Sequence, residues 1–154
     1  MADRAFKPMR TTTFADLLYD PWALGDAELA PRLAARGFPE ARRSYTAVFH
    51  NLAEGGSRIT EIAERAGLAK PSVVYLVDEL ERLGVVERVP DPADGRAKLV
   101  RPTPRGREAL AAAREVAAEI EAEWTRLLGA RKMAQLRGLL EELHEALWPP
   151  ERQP

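Results

Sequence analysis

ITEIAERAGLAKPSVVYLVDELERLGVVERVPDPADGRAKLVRPTPRGR, residues 59–107, changes its hydrophobic period twice. Ile59, Ile62, Ala63 and Ala66 recur at three- and four-residue spacing, the period of one helix face. Thr60 stands where a cap belongs, with Glu61 and Glu64 near the positive end of the helix dipole. Gly67 stops this helix, because glycine enters the left-handed conformation at little cost, and Leu68 is expected to plug the tight turn. A second helix is predicted from Lys70 or Pro71 to Leu83, with Val73, Leu76, Val77 and Leu80 facing inward and Gly84 ending it. Two short helices joined through a glycine turn make a helix-turn-helix. The period then switches. Val85–Val89 is short and β-branched, residues 90–95 are turn formers, and 97–101 alternate, which predicts a two-stranded hairpin with a longish tip. A lone hairpin is marginal in water, so it must lean on the helices before it. Thr103-Pro104 is a cap followed by proline at the first helical position.

Outward from this centre the chain is helical. Thr13 and Asp16 form a capping-box pattern ahead of Phe14, Leu17, Leu18 and Trp22. Pro21 and Pro31 fall inside that helix and predict a kink or a division into two, ending near Gly37 and Pro39. Tyr45, Val48, Phe49 and Leu52 predict a helix over 41–53, followed by a loop at 54–57. After Thr103 a helix of about 25 residues is predicted to Leu128, its apolar stripe Leu110, Ala113, Ala117, Ile120, Trp124 and Leu127. Beyond Gly129 a last helix carries Met133, Leu136, Leu140, Leu143 and Leu147 until Pro149-Pro150. Two heptad-like stripes at the end of a short chain can pair with each other or with a second chain. A helix of this length would leave apolar surface in water without a partner, which favours the second chain.

Composition narrows the function. The chain has 154 residues, 45% hydrophobic and 31% charged, the balance of a globular domain. No stretch approaches a spanning helix and the first residues lack an apolar leader, so no membrane association is expected and the cytoplasm is the default compartment. Cysteine is absent, which removes disulfides, thiolate metal sites, cysteine catalysis and thiol-based oxidant sensing. Two histidines, His50 and His144, are too few for a multi-histidine metal cage, and neither a metal nor a cofactor is expected. His144-Glu145 begins like a zinc-protease helix but lacks the second histidine, and phosphate-loop, nucleophile-elbow and dinucleotide patterns are missing, so an enzyme is not expected. The net charge is −1, yet residues 82–107 hold Arg82, Arg88, Arg96, Lys98, Arg101, Arg105 and Arg107 against only Glu87, Asp91 and Asp94. A basic segment inside an acidic chain is an electrostatic footprint for nucleic acid.

With the inward stripe of the second helix committed to the core, Lys70, Pro71, Ser72, Val74 and Tyr75 remain to face outward near its N-terminus. Lys70 suits phosphate or guanine, Ser72 phosphate or a base edge, Val74 a thymine methyl, and Tyr75 phosphate or stacking. Free backbone N–H groups at that terminus would add phosphate donors. On the hairpin, Asp94-Gly95-Arg96 presents an arginine beside a carboxylate, suited to a narrow, negative minor groove. Arg88, Lys98 and Arg101 below it are expected to neutralise flanking phosphates.

These residues resemble the MarR family of bacterial transcriptional regulators over 57–107. The Gly67-Leu68 turn, the V-x-x-L-V-D-x-L recognition helix from Val73, the G-x-V-x-R entry strand from Gly84, the D-P-x-D-x-R wing from Asp91 and the T-x-x-G helix start from Thr103 all follow the family pattern. The resemblance implies that Arg96 enters the minor groove braced by Asp94, that Ser72, Val74 and Tyr75 face major-groove edges, and that flanking helices interlock in a homodimer. It also implies that a small aromatic or anionic effector binds between the dimerisation helices and the winged helix. Trp22, Tyr45 and Phe49 are the aromatics first expected to line such a pocket, though core packing is the reading favoured for them. Gly95 stands where the family usually has a second basic residue, Val74 and Tyr75 replace common polar and basic types, and Pro102 replaces a leucine.

The expected fold is mostly α with a small two-stranded β-hairpin wing: a winged helix-turn-helix at 57–103, preceded by N-terminal helices at 12–56 and followed by dimerisation helices at 104–148. A loose arm at 1–11 and a tail at 149–154 complete it. The expected function is a homodimeric regulator that binds double-stranded DNA, most simply a repressor on a pseudo-palindromic operator, released by its effector. The alternative is a winged-helix protein-interaction adaptor without specific DNA binding.

Overall fold

The structure, a computed structural model, describes residues 13–53 and 55–147. The arm expected at 1–11, the tail expected at 149–154 and Trp148 lie outside the described residues. Eight elements follow in order among the described residues: α1 (Phe14–Ala34), α2 (Arg43–Phe49), α3 (Ile59–Ala66), α4 (Lys70–Arg82), β1 (Val86–Asp91), β2 (Asp94–Pro102), α5 (Pro104–Leu128) and α6 (Ala130–Leu147). They form two compact units that divide within α5, between Val116 and Ala117.

In the first unit, α1 starts as the capping box predicts. The Thr13 N–H donates to Asp16 at 2.9 Å, and the Asp16 N–H donates to the Thr13 hydroxyl at 3.2 Å. The expected kink or split at the prolines does not divide the helix, which runs as one 21-residue element through Pro21 and Pro31. Each proline removes one ladder bond, from the carbonyls of Leu17 and Ala27. Both of those residues are exposed, so water can take the missing donor's place. Gly37, at φ +92°, lets the chain turn so that the Phe38 N–H reaches the Leu33 carbonyl at 3.1 Å. The second helix is shorter than the predicted 41–53, and residues beyond Phe49 continue as turns.

The winged helix is built around one apolar cluster. Tyr45 and Val48 from α2, Ile62 and Ala63 from α3, Val73, Leu76, Val77 and Leu80 from α4, and Val85, Val86 and Val100 from the hairpin are buried together. All four inward positions predicted for α4 are in it. Burying a side chain of this size contributes about 1.5–3 kcal/mol, so the hairpin is anchored chiefly by Val86 and Val100. Two local expectations need correction. Thr60 lies inside α3, not at its cap. Arg58 is the N-cap, and its N–H donates to the Glu61 carboxylate at 3.0 Å. Leu68 does not plug the turn, since 38% of it is exposed. The turn is held instead by Gly67 in the left-handed region and by the Leu68 N–H donating to the Ala63 carbonyl at 2.9 Å.

The strands pair antiparallel, Val86 opposite Pro102 through Pro90 opposite Lys98. The expected longish tip closes more tightly than predicted, because Asp91 pairs with Asp94 across Pro92-Ala93. The register breaks between Pro90 and Asp91, leaving residues 95–97 of β2 without partners. Pro90 has no N–H to offer the ladder, so the break falls where pairing is weakest. A further bridge, absent from the sequence reading, joins Ser57 to Val100 through N–H···O bonds of 2.9 and 2.8 Å.

The start of α5 returns to the hairpin. Thr103 donates through its hydroxyl to the Gly84 carbonyl at 2.6 Å and accepts the Gly106 N–H at 3.1 Å. Gly106 packs so closely that a Cβ there would sit 1.9 Å from the Val85 carbonyl oxygen. Along α5, besides Gly106, the buried residues are Ala112, Val116 and Ile120. Of the predicted stripe, Ala117 is exposed and Leu127 is 83% exposed. Ile120 is buried as predicted and Leu110, Ala113 and Trp124 are half-buried, while Ala112 and Val116 take the buried places one position before Ala113 and Ala117. In the second unit, Arg137 of α6 pairs with Glu121 and with Glu141. No residue of α6 is buried, and Leu136, Leu139, Leu140 and Leu147 are all exposed. No helix among the described residues is long and apolar enough to cross a membrane.

Replacing Gly106 with alanine should destabilise the chain by at least about 2 kcal/mol in urea unfolding, because backbone must move to admit the methyl group. An unchanged midpoint would contradict the close approach.

Candidate nucleic-acid interface

The exposed face of α4 begins at Lys70. Ala69 is its N-cap and makes no side-chain cap bond. Lys70, Pro71, Ser72 and Tyr75 are exposed and Val74 is half-buried, so the five predicted residues share the solvent side of the helix start. The row of backbone donors expected there is shorter than predicted. Pro71 has no N–H, and the N–H groups of Ser72 and Val73 both turn back to the Ala69 carbonyl, at 2.9 and 3.3 Å. Tyr75 donates its hydroxyl to Glu79 at 3.1 Å.

The hairpin sorts its cations into two sets. Arg88 does not stand ready for phosphate. Its guanidinium binds Asp78 of α4 at 2.6 Å and also Glu81, its backbone N–H reaches Glu81 at 3.2 Å, and only 18% of the side chain is exposed. It straps β1 to α4. Arg101 is likewise engaged, with Glu87 at 2.9 Å across the ladder. By contrast, no ion pair among the described residues holds the side chains of Lys70, Arg96 or Lys98, which are all exposed.

The wing tip is fixed from below. Arg58, from the residue before α3, donates to Asp91 through Nε at 2.7 Å and through its terminal nitrogen. The other Asp91 oxygen accepts the Ala93 N–H at 2.8 Å, an Asx turn. These contacts, the Ala93 N–H first and the Arg58 guanidinium next, hold the Asp91 carboxyl below its ordinary value. Asp94 braces Arg96 through the main chain: it accepts the Arg96 N–H at 3.1 Å, while its other oxygen lies 3.8 Å from Arg58. The Arg96 side chain is thereby left to project from the unpaired 95–97 segment. Gly95 beside it is open, for a Cβ there would meet nothing.

The three aromatics expected to line an effector pocket have different surroundings, though Phe49 packs against the cluster that buries Tyr45. Tyr45 is in the core, where burial first and the Glu79 carboxylate next push its hydroxyl pKa up. Trp22 lies on α1 beside Tyr19, under the Arg43 guanidinium at 4.6 Å, with Arg43 also paired to Asp26 at 2.8 Å. Phe49 lines a cleft of about 820 Å³, with Leu52, Arg101, Arg107, Leu110 and Arg114 among its walls.

Several of these functional groups escaped sequence reading. Arg58 and Asp91 lie 33 positions apart, and no local pattern marks such a pair. Asp78 and Glu81, three apart on one helix, are a legible acidic pair, but nothing in the sequence aims Arg88 at them.

Residues 42–97 match the sequence profile of the MarR family. Among solved structures, wild-type apo MarR from E. coli is 20% identical with a TM-score of 0.72, over 87% of this chain and 98% of that one. A transcriptional regulator from Thermotoga maritima is 27% identical with a TM-score of 0.64, over 92% and 98%. The transcriptional repressor CouR, bound to a 23-mer DNA duplex, is 25% identical with a TM-score of 0.62, over 85% and 92%. No curated protein sequence gives a significant match.

The depressed Asp91 carboxyl has a consequence for acid stability. A carboxylate with its folded pKa below the usual 3.8 adds stability that is present above about pH 4 and lost as pH falls through the folded value. Wild type should therefore lose stability more steeply below pH 4 than Asp91→Asn, and should be the more stable of the two at pH 7. Parallel acid profiles in thermal melts would contradict the assignment.

Proposed function

We propose, from the match of residues 42–97 to the MarR family profile and from the sorting of the hairpin cations, that this chain is a member of that family and a homodimeric transcriptional repressor that binds double-stranded DNA. The carrying observation is that Lys70, Arg96 and Lys98 are exposed and outside every ion pair among the described residues, while Arg58 and Arg88 are used to hold the wing. In this reading α4 enters a major groove, with Ser72, Val74 and Tyr75 at base edges and Lys70 and Lys98 on phosphates. Arg96 reaches the adjacent minor groove, where the potential is most negative.

Two copies are needed to read a pseudo-palindrome with half-sites about one helical turn, ~34 Å, apart. The exposed leucines of α6, and separately Phe14 and Leu17 of α1, at 68% and 58% exposure, support burial against a second chain. Repression then follows from occupancy of promoter DNA. An aromatic anion suits the cleft beside Phe49, where Leu52 and Leu110 supply apolar wall and Arg107 and Arg114 positive charge. Its binding would shift the population of chains competent for DNA.

Titration of labelled DNA from upstream of the protein's own gene, at two salt concentrations, tests the reading. Wild type should bind in the nanomolar range and weaken steeply with salt. Arg96→Ala should lose about 1–3 kcal/mol, and Lys98→Ala should lower the salt slope by about one. Arg88→Ala should keep the wild-type slope, because its charge is already neutralised within the protein. Equal binding by wild type and Arg96→Ala would reject the wing assignment. Sedimentation at micromolar concentration should give the mass of two chains, and a monomer would reject the dimer.

A further inference from the structure

Tyr75 is 61% exposed on the outer face of α4, yet its hydroxyl is already engaged, donating to the Glu79 carboxylate at 3.1 Å. Glu79 is itself held from two further sides: the Tyr45 hydroxyl reaches its other oxygen from the core at 3.5 Å, and Arg82 lies 3.5 Å away. Only 15% of the Glu79 side chain is exposed, so water is a poor substitute for these donors.

We propose that Tyr75 is a specificity-determining residue that reads an amino-bearing base, adenine or cytosine, in the major groove, acting only as a hydrogen-bond acceptor. The inference rests on the reading that α4 enters DNA. A tyrosine hydroxyl has one proton, and a carboxylate can only accept. With that proton given to Glu79, the phenolic oxygen has only lone pairs left to offer. Phosphate oxygens, guanine O6 and N7, and thymine O4 are all acceptors and cannot pair with it. The remaining partners in the major groove are the N6 amino group of adenine and the N4 amino group of cytosine. The Glu79 charge beside the hydroxyl also repels a phosphate, which moves Tyr75 away from the backbone contact that its residue type suggested. Glu79 thus acts as a positioning residue, setting the polarity of the contact from outside it.

Selection of full-length protein against a randomised duplex pool tests this. Wild type should show, in each half-site, one position where adenine or cytosine on the read strand is enriched about three- to tenfold over guanine or thymine, the range of one net hydrogen bond. Tyr75→Phe should flatten that position and no other. Glu79→Ala releases the phenol proton, so the preference at the same position should vanish or move to guanine or thymine. Melting curves check that both variants are folded, and in Tyr75→Phe the Glu79 carboxylate keeps Tyr45 and Arg82 as partners. A Tyr75→Phe motif identical to wild type, or a Tyr75-dependent preference for guanine or thymine in wild type, overturns the proposal while leaving DNA binding by α4 intact. An intact amino-base preference in Glu79→Ala overturns the role of Glu79. Failure of wild type to enrich any sequence overturns the reading of α4 and this inference with it.

Discussion

A two-stranded hairpin has too little apolar surface to hold itself in water, and the usefulness of this one depends on what ties it to the helices. The tie is the Arg88 guanidinium, which leaves β1 to bind Asp78 and Glu81 of α4. Beneath it, Val86 and Val100 enter the common core and Ser57 adds a short third pairing to β2. At the far end Arg58 holds Asp91. The hairpin is tied to α4 along β1 and to the start of α3 at its tip, so its placement is set by protein contacts before any ligand arrives. A rigid pair of elements presents its exposed cations with little ordering cost on binding.

The same contacts explain how a chain of net charge −1 can present a positive surface. Most of the acidic residues near the wing are engaged. Asp78 and Glu81 neutralise Arg88, Glu87 neutralises Arg101, and Asp91 neutralises Arg58. What projects is Lys70, Arg96 and Lys98. Local field, and not the sum of charges, governs attraction within a Debye length of about 8–10 Å. Asp94 contributes differently, through the main chain of Arg96, so its carboxylate orders the tip while the guanidinium stays outside.

The sequence was most informative where chemistry is local. The capping box at Thr13, the left-handed Gly67, the 3–4 spacing of Val73, Leu76, Val77 and Leu80, and the Thr103-Pro104 start are each decided within a few residues, and each is present as read. Local rules misled where another group competed. Thr60 is a good cap by type, but Glu61 reaches the Arg58 N–H first and starts the helix earlier. Alanine at 111–113 and 117–118 is ambiguous between faces, so the α5 stripe reads as Ala113 and Ala117 where burial selects Ala112 and Val116, with Ile120 common to both. The candidate interface was legible in residue types but not in roles. Arg88 and Arg96 look alike in sequence, and only tertiary placement separates a strap from a free cation. Trp22, Tyr45 and Phe49 likewise share a residue class but have different neighbours, Arg43 over Trp22 and the core cluster around Tyr45.

The central claim is that the helix and the wing of one chain address different grooves of the same duplex. The chain has no cysteine, so a single one introduced at Ala93 or at Ser72 can carry a cleaving iron chelate on an otherwise thiol-free protein. On DNA bound by the full chain, the tether at position 93 should cut with the strand offset of minor-groove attack. The tether at position 72 should cut the neighbouring turn with the offset of major-groove attack. Cleavage at both positions no greater than that from free chelate, or an identical pattern from the two tethers, would contradict it.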